Sequence, residues 1–556
     1  MLDKPQTIQS LADVHAQLIA HHSADEKRLK AHLSAISRTA TYLNRAEADI
    51  PTDVPQLRRL LIDLHPAQCG VTPQSLRTVK SALAAALRAA GVLHDHTGQT
   101  DLTADWQAFV DQIKNDHQLY GIIRFARYCS SEGFAPKDVT SATVAGFRAF
   151  LDAHLLTGDP DKQIRYLTNN WNHLNKNYGL GMPFLSLANP DRFRTRPLSD
   201  YPDSLQKDLQ TYLERVSCPI LFDDDAPDAP LKPTSLRNIE AHIRQLLHAL
   251  VEAGAAPTAF TCLRDVVTPA NVKRGLNGIM TRSGKNDVPS SLSNISGTCL
   301  AIARHYLKLE DNDLASLKTI RKRVAPKTTG MSAKNSERLA QFNDPHNVVL
   351  LLSLPKALMD RAERAPASRK SAIAAMHATS IGILLCCPMR IKNLASLDID
   401  KHLITHGTGA HAQYTIRIEA DEVKNAEAIE FKVNKAVSKM LHRYIIQFRP
   451  LLSTHRGTAL FPRASDGKAR TPDNFGKAMT ECIKRETGLA MHPHLFRHLA
   501  AKLFLEVKPG QFEVVRQMLK HKTLQTTTDF YAETNNSYAH EHYDDVVLSK
   551  LGMKDA

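Results

Sequence analysis

The sequence predicts a multi-domain, mainly α chain whose last part folds as a mixed α+β domain with a small antiparallel sheet. Three observations carry this. At 556 residues the chain outgrows a single hydrophobic core, which stops growing near roughly 250 to 300 residues. Apolar residues recur at helical spacing almost throughout. Strict alternation appears in one place only, where Gln413 to Ile418 and Ala428 to Val433 flank a polar turn that contains Lys424.

Composition narrows the class. With 43% hydrophobic and 23% charged residues, there is ample apolar material for packed cores, which excludes a disordered chain. No run of eighteen apolar residues occurs, and Met1 to Pro5 lacks the basic-then-apolar layout of a signal peptide, so the expected place is the cytoplasm, with no membrane partner. The eight cysteines are scattered without a C-x-x-C pair. They read as free thiols of a reducing compartment, with no disulfide, metal or other cofactor indicated. A net charge of +14, spread over all modules, favours a polyanionic partner, although a basic soluble protein with no nucleic-acid role has the same composition.

In chain order, residues 1–95 read as a helical module. Leu29, Leu33 and Ile36 share a face, Asp53 heads one helix, and Thr72-Pro73 opens another that runs through Leu76, Val79, Leu83 and Leu87 to Gly91. Residues 96–216 form a second module, with a helix around 120–126, a turn at Gly133 to Pro136, and a helix capped by Thr140. Residues 231–320 repeat that plan, with a helix over 243–250, a turn at Gly254 to Pro257 and a Thr268 cap. The spacing of roughly a hundred residues is weak support for an internal repeat, and an unrelated series of helices accounts for it as well. An acidic, proline-spaced linker, Asp223 to Pro230, precedes the third module. A basic connector, residues 321–335, follows it. Arg321, Lys322, Arg323 and Lys327 there match a phosphate backbone, although a plain solvated hinge has the same composition.

The final domain, residues 336–556, holds an apolar helix ending at Pro388, a second helix start at Arg390, the hairpin, and helices expected over 435–447, 472–486, 493–505, 511–519 and 526–531. Six of its residues form a chemically coherent set. Two arginines, Arg390 and Arg497, are permanently charged planar forks suited to the non-bridging oxygens of a phosphodiester. Lys424, on the hairpin, is placed to protonate a leaving oxygen. His494 and His521 are imidazoles able to take a phenol proton or hold a phosphate. Tyr531 is the nucleophile candidate. Taken singly, each has an ordinary structural reading: a capping His–Arg pair, a surface arginine, a turn lysine, a packing tyrosine.

The order Arg390, Lys424, His494-Leu495-Phe496-Arg497-His498, Leu519-Lys520-His521, Tyr531 resembles the tyrosine recombinase/integrase family of the phage integrase type. Met389 to Leu394 resembles the family's arginine helix, and Gln517 to Thr523 its "LGH" box. The resemblance spans about 331–531, while residues 231–318 are compatible with the family's helical core-binding domain. It implies a site-specific DNA recombinase that cleaves and rejoins strands through a 3′-phosphotyrosyl intermediate without metal or ATP, serving integration, excision or transposition of a mobile element. It also implies double-stranded DNA as substrate and a homo-oligomer on DNA, dimer to tetramer, with partner recombinases or accessory proteins as further candidates. The tail 537–548 is expected to dock on a neighbouring protomer or on its own domain.

The sequence departs from the family pattern in three places. Lys520 stands where glycine is usual, Asn393 where an acidic residue is common, and Tyr531 follows His521 by ten residues where nine is frequent. Tyr538 and Tyr543 are the fallback nucleophiles. A type IB topoisomerase, a telomere resolvase and a catalytically silent accessory DNA-binding protein are the alternatives. Nothing in residues 1–216 assigns them a role.

Overall fold

A computed structural model describes residues 8–531, 543 and 547, except 21–24, 94–100, 114–115, 117–118, 120, 187–194, 219–226, 228, 285–287, 326–329, 424–426 and 521–522, with backbone alone at 410, 526 and 529–531. Lys327, Lys424, His521, Tyr538 and almost all of the tail therefore lie outside the described residues. The chain divides into two compact units: residues 188–329, and residues 1–187 together with 330–556. No helix of the described residues is long and apolar enough to cross a membrane.

The predicted helix starts follow from capping chemistry. Asp53, Thr72, Thr140 and Thr268 each accept a backbone N–H of the first turn through the side chain, from Gln56, Ser75, Thr143 and Asn271 respectively. Each pairing satisfies an amide that the helix itself leaves unbonded. The first two helical modules keep separate apolar cores, one around Ile36, Leu57 and Leu83, the other around Trp106, Phe125 and Trp171. Arg58 ties them together. Its buried guanidinium donates to the carbonyls of Leu151, Asp152 and Leu155 and pairs with the Asp152 carboxylate at 2.7 Å.

The unit 188–329 differs from the expected modules at both ends. Helix Asp203–Ser217, read from sequence as the end of the second module, belongs to the core of the third: Leu205, Leu209, Tyr212 and Val216 pack with Leu247, Ile295 and Leu317. The physical reason is partly polar. Asp208 accepts the Tyr306 hydroxyl at 2.6 Å and the Leu263 amide at 2.7 Å, contacts that sequence separation hides. At the other end, Arg321, Lys322 and Arg323 are the last turn of helix Asp311–Val324 and not an extended connector. Cations are favourable there beside the helix C-terminus whatever else they contact.

The core of 330–556 is built around helix Arg369–Cys386, buried on nearly all faces and opened by a Ser368–Ser371 capping box. Helix Pro345–Arg364 packs along it. Beside them lies a three-stranded antiparallel sheet in the order β1 (Leu403–His406), β2 (Gln413–Ile418), β3 (Ile429–Lys432). Thr415 of β2 faces Ile404 of β1 and Lys432 of β3. The hairpin was legible as alternation, but β1 was not: four residues, the last three exposed, carry no detectable period. Loop 64–70 of the first module seats against this domain. His65 Nε2 lies 3.0 Å from the Arg485 carbonyl, and Gly488, at φ +78°, has room for no side chain, because a Cβ there would come within 2.4 Å of the His65 Cβ.

One buried group makes this core pH-sensitive. His377, in the middle of helix Arg369–Cys386, keeps Nε2 buried with no hydrogen-bond partner among the described residues. Burial, then the charges of Arg485 and Arg470, pushes its imidazole down to about 4. The unfolded chain binds the proton more readily between that value and the ordinary value near 6.5, so stability falls as pH drops through this window. We expect His377→Leu to flatten the loss of melting temperature between pH 7 and pH 5 measured by calorimetry; an unchanged slope would assign the loss to other groups.

Candidate active site

Arg497 is the hub of the site. It lies on helix Leu495–Val507, 5% exposed. Its guanidinium donates from Nη1 to the Pro388 carbonyl at 2.7 Å and from Nη2 to the Leu519 carbonyl. The first bond pins the turn two residues before Arg390. The second pins the end of helix Phe512–Leu519, two residues before His521. Stretches separated by 109 and 22 residues from Arg497 are thus held by one fork. A flexible ammonium could not match that geometry, since it lacks the paired donors set in a plane.

Arg390 follows the Cys387-Pro388-Met389 turn and stands immediately before the short helix Ile391–Ala395 in an extended conformation, φ −70° and ψ 146°. Pro388 accounts for the break, because it cannot continue the preceding helix. Arg390 is half-buried, enough for burial to lower its pKa. Among the described residues its side chain has no hydrogen-bond or ion-pair partner. His494 precedes helix Leu495–Val507, and its carbonyl accepts the Arg497 amide at 3.2 Å. Its pKa is lowered by burial first, then by the nearby charges of Arg497 and Arg390. The structure therefore gathers Arg390, His494 and Arg497 into one electrostatic neighbourhood, in which no carboxylate of the described residues shifts the imidazole.

His498, which stands in the sequence motif but was given no role there, is 4% exposed and meets the His494 ring edge to face, 5.0 Å between centroids. The signal was available: the two histidines are four apart, one helical turn. His492 is likewise lowered by burial, and its Nε2 lies 3.3 Å from the Asn335 Oδ1. Helix Phe512–Leu519 packs on helix Leu495–Val507 through Ala501, Leu505, Val515 and Leu519. Helix Leu524–Tyr531 contacts it in turn, and Tyr531 is the last residue of that helix. Tyr543 is exposed. Lys424 and His521 fall outside the described residues.

The departures from the family pattern have visible physical consequences. Lys520 caps helix Phe512–Leu519 in the left-handed conformation, φ 52° and ψ 51°, the geometry glycine adopts without cost. Asn393 is buried, with its Nδ2 unpartnered among the described residues.

Two outcomes follow from this geometry. Replacing Lys520 with glycine should stabilise the chain by up to about 1 kcal/mol in urea unfolding, by relieving left-handed strain; Lys520→Val should do the reverse, and equal midpoints for the two would refute the strain. In histidine-labelled protein, Arg390→Gln should move the His494 titration upward, because one of the cations depressing it is gone. A His494 resonance that titrates as in the wild type would separate the two side chains.

The phage integrase family model matches residues 355–537, about a third of the chain. No curated protein sequence matches. Among solved structures the chain is similar to the XerH site-specific recombinase bound to its difH substrate in a post-cleavage complex, at 16% identity over 58% of this chain and 80% of that one, with a TM-score of 0.36. It is similar also to a lambda integrase dimer bound to a core site, at 14% identity over 67% and 87%, TM-score 0.34, and to the Tn1549 transposon integrase in complex with circular intermediate DNA, at 14% over 54% and 90%, TM-score 0.31. Arg390, His494, Arg497 and Tyr531 all fall inside the matched segment, which makes residues 355–537 a domain of the phage integrase family, the tyrosine recombinases.

Proposed function

We propose that the chain is a site-specific DNA recombinase in which Tyr531 attacks a phosphodiester of duplex DNA. The observation that carries this reading is the half-buried Arg390 guanidinium, which has no ion-pair partner among the described residues and acts on the same imidazole, His494, as Arg497 does. A half-buried guanidinium without an acidic partner among the described residues is costly to desolvate, and a phosphodiester is a group that offsets that cost. The surrounding charge agrees: residues 330–556 carry 32 Lys and Arg against 23 Asp and Glu, which is nine of the fourteen excess positive charges.

In this mechanism the Tyr531 oxygen bonds to phosphorus and the bond from phosphorus to the 5′ oxygen breaks. The product is a 3′-phosphotyrosyl protein and a free 5′ hydroxyl. The phenol proton passes to an imidazole, for which His494 and His521 are the candidates, and Lys424 protonates the departing oxygen. Arg390 and Arg497 hold the non-bridging oxygens as charge builds on them. The 5′ hydroxyl of a partner strand then attacks the adduct and releases Tyr531. Bond energy is conserved in the adduct, so rejoining uses no nucleotide.

We assign Arg321, Lys322, Arg323 and Lys327 to phosphate contacts flanking the cleaved site, and a homo-oligomer on DNA to the pairing of two sites. Such an enzyme works where the DNA is, in the nucleoid-containing cytoplasm. Integration, excision or transposition of a mobile element is the process it serves.

The decisive experiment uses a nicked duplex whose cleaved fragment diffuses away. Wild type should accumulate a covalent protein–DNA adduct on a denaturing gel. Tyr531→Phe should bind the same duplex with unchanged affinity and form none; an adduct from that variant would transfer the role to another residue.

A further inference from the structure

A second concentration of positive charge lies on the sheet, away from the three gathered side chains. A cavity of about 780 Å³ opens over the outer face of β1 and β2 and the start of helix Lys435–Arg443. It is lined by His406, His411, Gln413, Thr415, Lys432, Lys435 and Lys439, with no carboxylate among them. The sheet register accounts for half of this grouping. His406 lies opposite Gln413, and Thr415 opposite Lys432, so these four project from one face. The helix supplies the rest, since Lys435 and Lys439 are four apart and share its surface.

The three lysines are exposed, and among the described residues none of them has an ion-pair partner. This contrasts with other basic side chains of the same domain, which are matched: Arg361 with Glu486, Arg443 with Glu363, Arg417 with Glu419, Arg463 with Asp466 and Lys401 with Glu422. Glu430, the acid closest in register, stands opposite Arg417 toward the turn end of the hairpin and is not part of the cavity wall. What sets the three lysines apart is that they stand together, without an ion-pair partner among the described residues, around one concave place. Beside them are neutral hydrogen-bonding groups: Gln413, and a Thr415 hydroxyl 3.2 Å from the His406 Nε2.

We propose that this groove is a second DNA-backbone site, in which Lys432, Lys435 and Lys439 each approach a phosphate of the duplex beyond the cleaved phosphodiester. The proposal rests on DNA being the substrate but not on the chemistry of Tyr531. Lysines suit this task, because a compact ammonium at the end of a flexible stem follows the backbone without reading bases. Such contacts fix the duplex on the domain and carry no sequence preference. Their loss should therefore weaken all duplexes equally.

The test measures binding of a fluorescent duplex by anisotropy across a range of potassium chloride, with the full chain. Each lost phosphate contact lowers the slope of log affinity against log salt by about 0.9. The triple variant K432Q/K435Q/K439Q should therefore lose about 2 to 3 from the slope while its melting temperature stays at the wild-type level. A matched triple on the N-terminal helices, K137Q/K162Q/K176Q, removes the same net charge and should leave the slope alone. An unchanged slope in the groove variant, or an equal fall in both triples, overturns the proposal. A wild-type chain that forms no adduct yet shows the slope difference would sink the recombinase assignment and leave the groove standing.

Discussion

The double hydrogen bond of the Arg497 fork to Pro388 and Leu519 is the contact on which the rest of the site depends. A guanidinium buried to 5% exposure must find acceptors within the protein, because leaving a buried charge unsatisfied costs several kcal/mol. The acceptors it finds include main-chain carbonyls at two turns far apart in sequence. Satisfying one side chain thereby sets the distance between the Arg390 turn and the end of the helix that precedes His521.

That choice of partner shapes the electrostatics of the whole neighbourhood. His494 sits beside two guanidiniums, and together with burial they favour its neutral form. A neutral imidazole at physiological pH can accept a proton, and it becomes a better base once an anion enters and offsets the arginines. The half-buried Arg390 contributes in the same sense: unpaired among the described residues, it gains more from an incoming anion than an arginine already committed to an acid.

The N-terminal helices enter this frame as bracing. Arg58 joins the first two modules through carbonyls of a single helix end, the same device that Arg497 uses. Gly488 admits the His65 loop because it has no Cβ. Neither contact is readable from sequence, since Arg58 resembles any exposed helix arginine and Gly488 any helix terminus. The assignment of helix Asp203–Ser217 failed for a similar reason. Its partner in the third core is reached by the Asp208 and Tyr306 pair across 98 residues, and the acidic linker between them looked like a boundary.

Local chemistry was legible in the sequence because it acts within a few residues. Asp53, Thr72, Thr140 and Thr268 announce helix starts by capping, alternation announces β2 and β3, and Pro388 announces the break before Arg390. The residue types needed for phosphoryl transfer, in their family order, could be read the same way. Only the tertiary structure decided which groups meet: that Arg497 is satisfied by carbonyls, that His494 shares its field with Arg390 and stacks edge-on with His498, that Lys520 occupies a left-handed cap, and that three lysines converge unpaired on one face of the sheet. Sequence encodes propensities that decay within a helical turn or a strand pair, whereas burial and charge compensation depend on which surfaces the whole chain brings together.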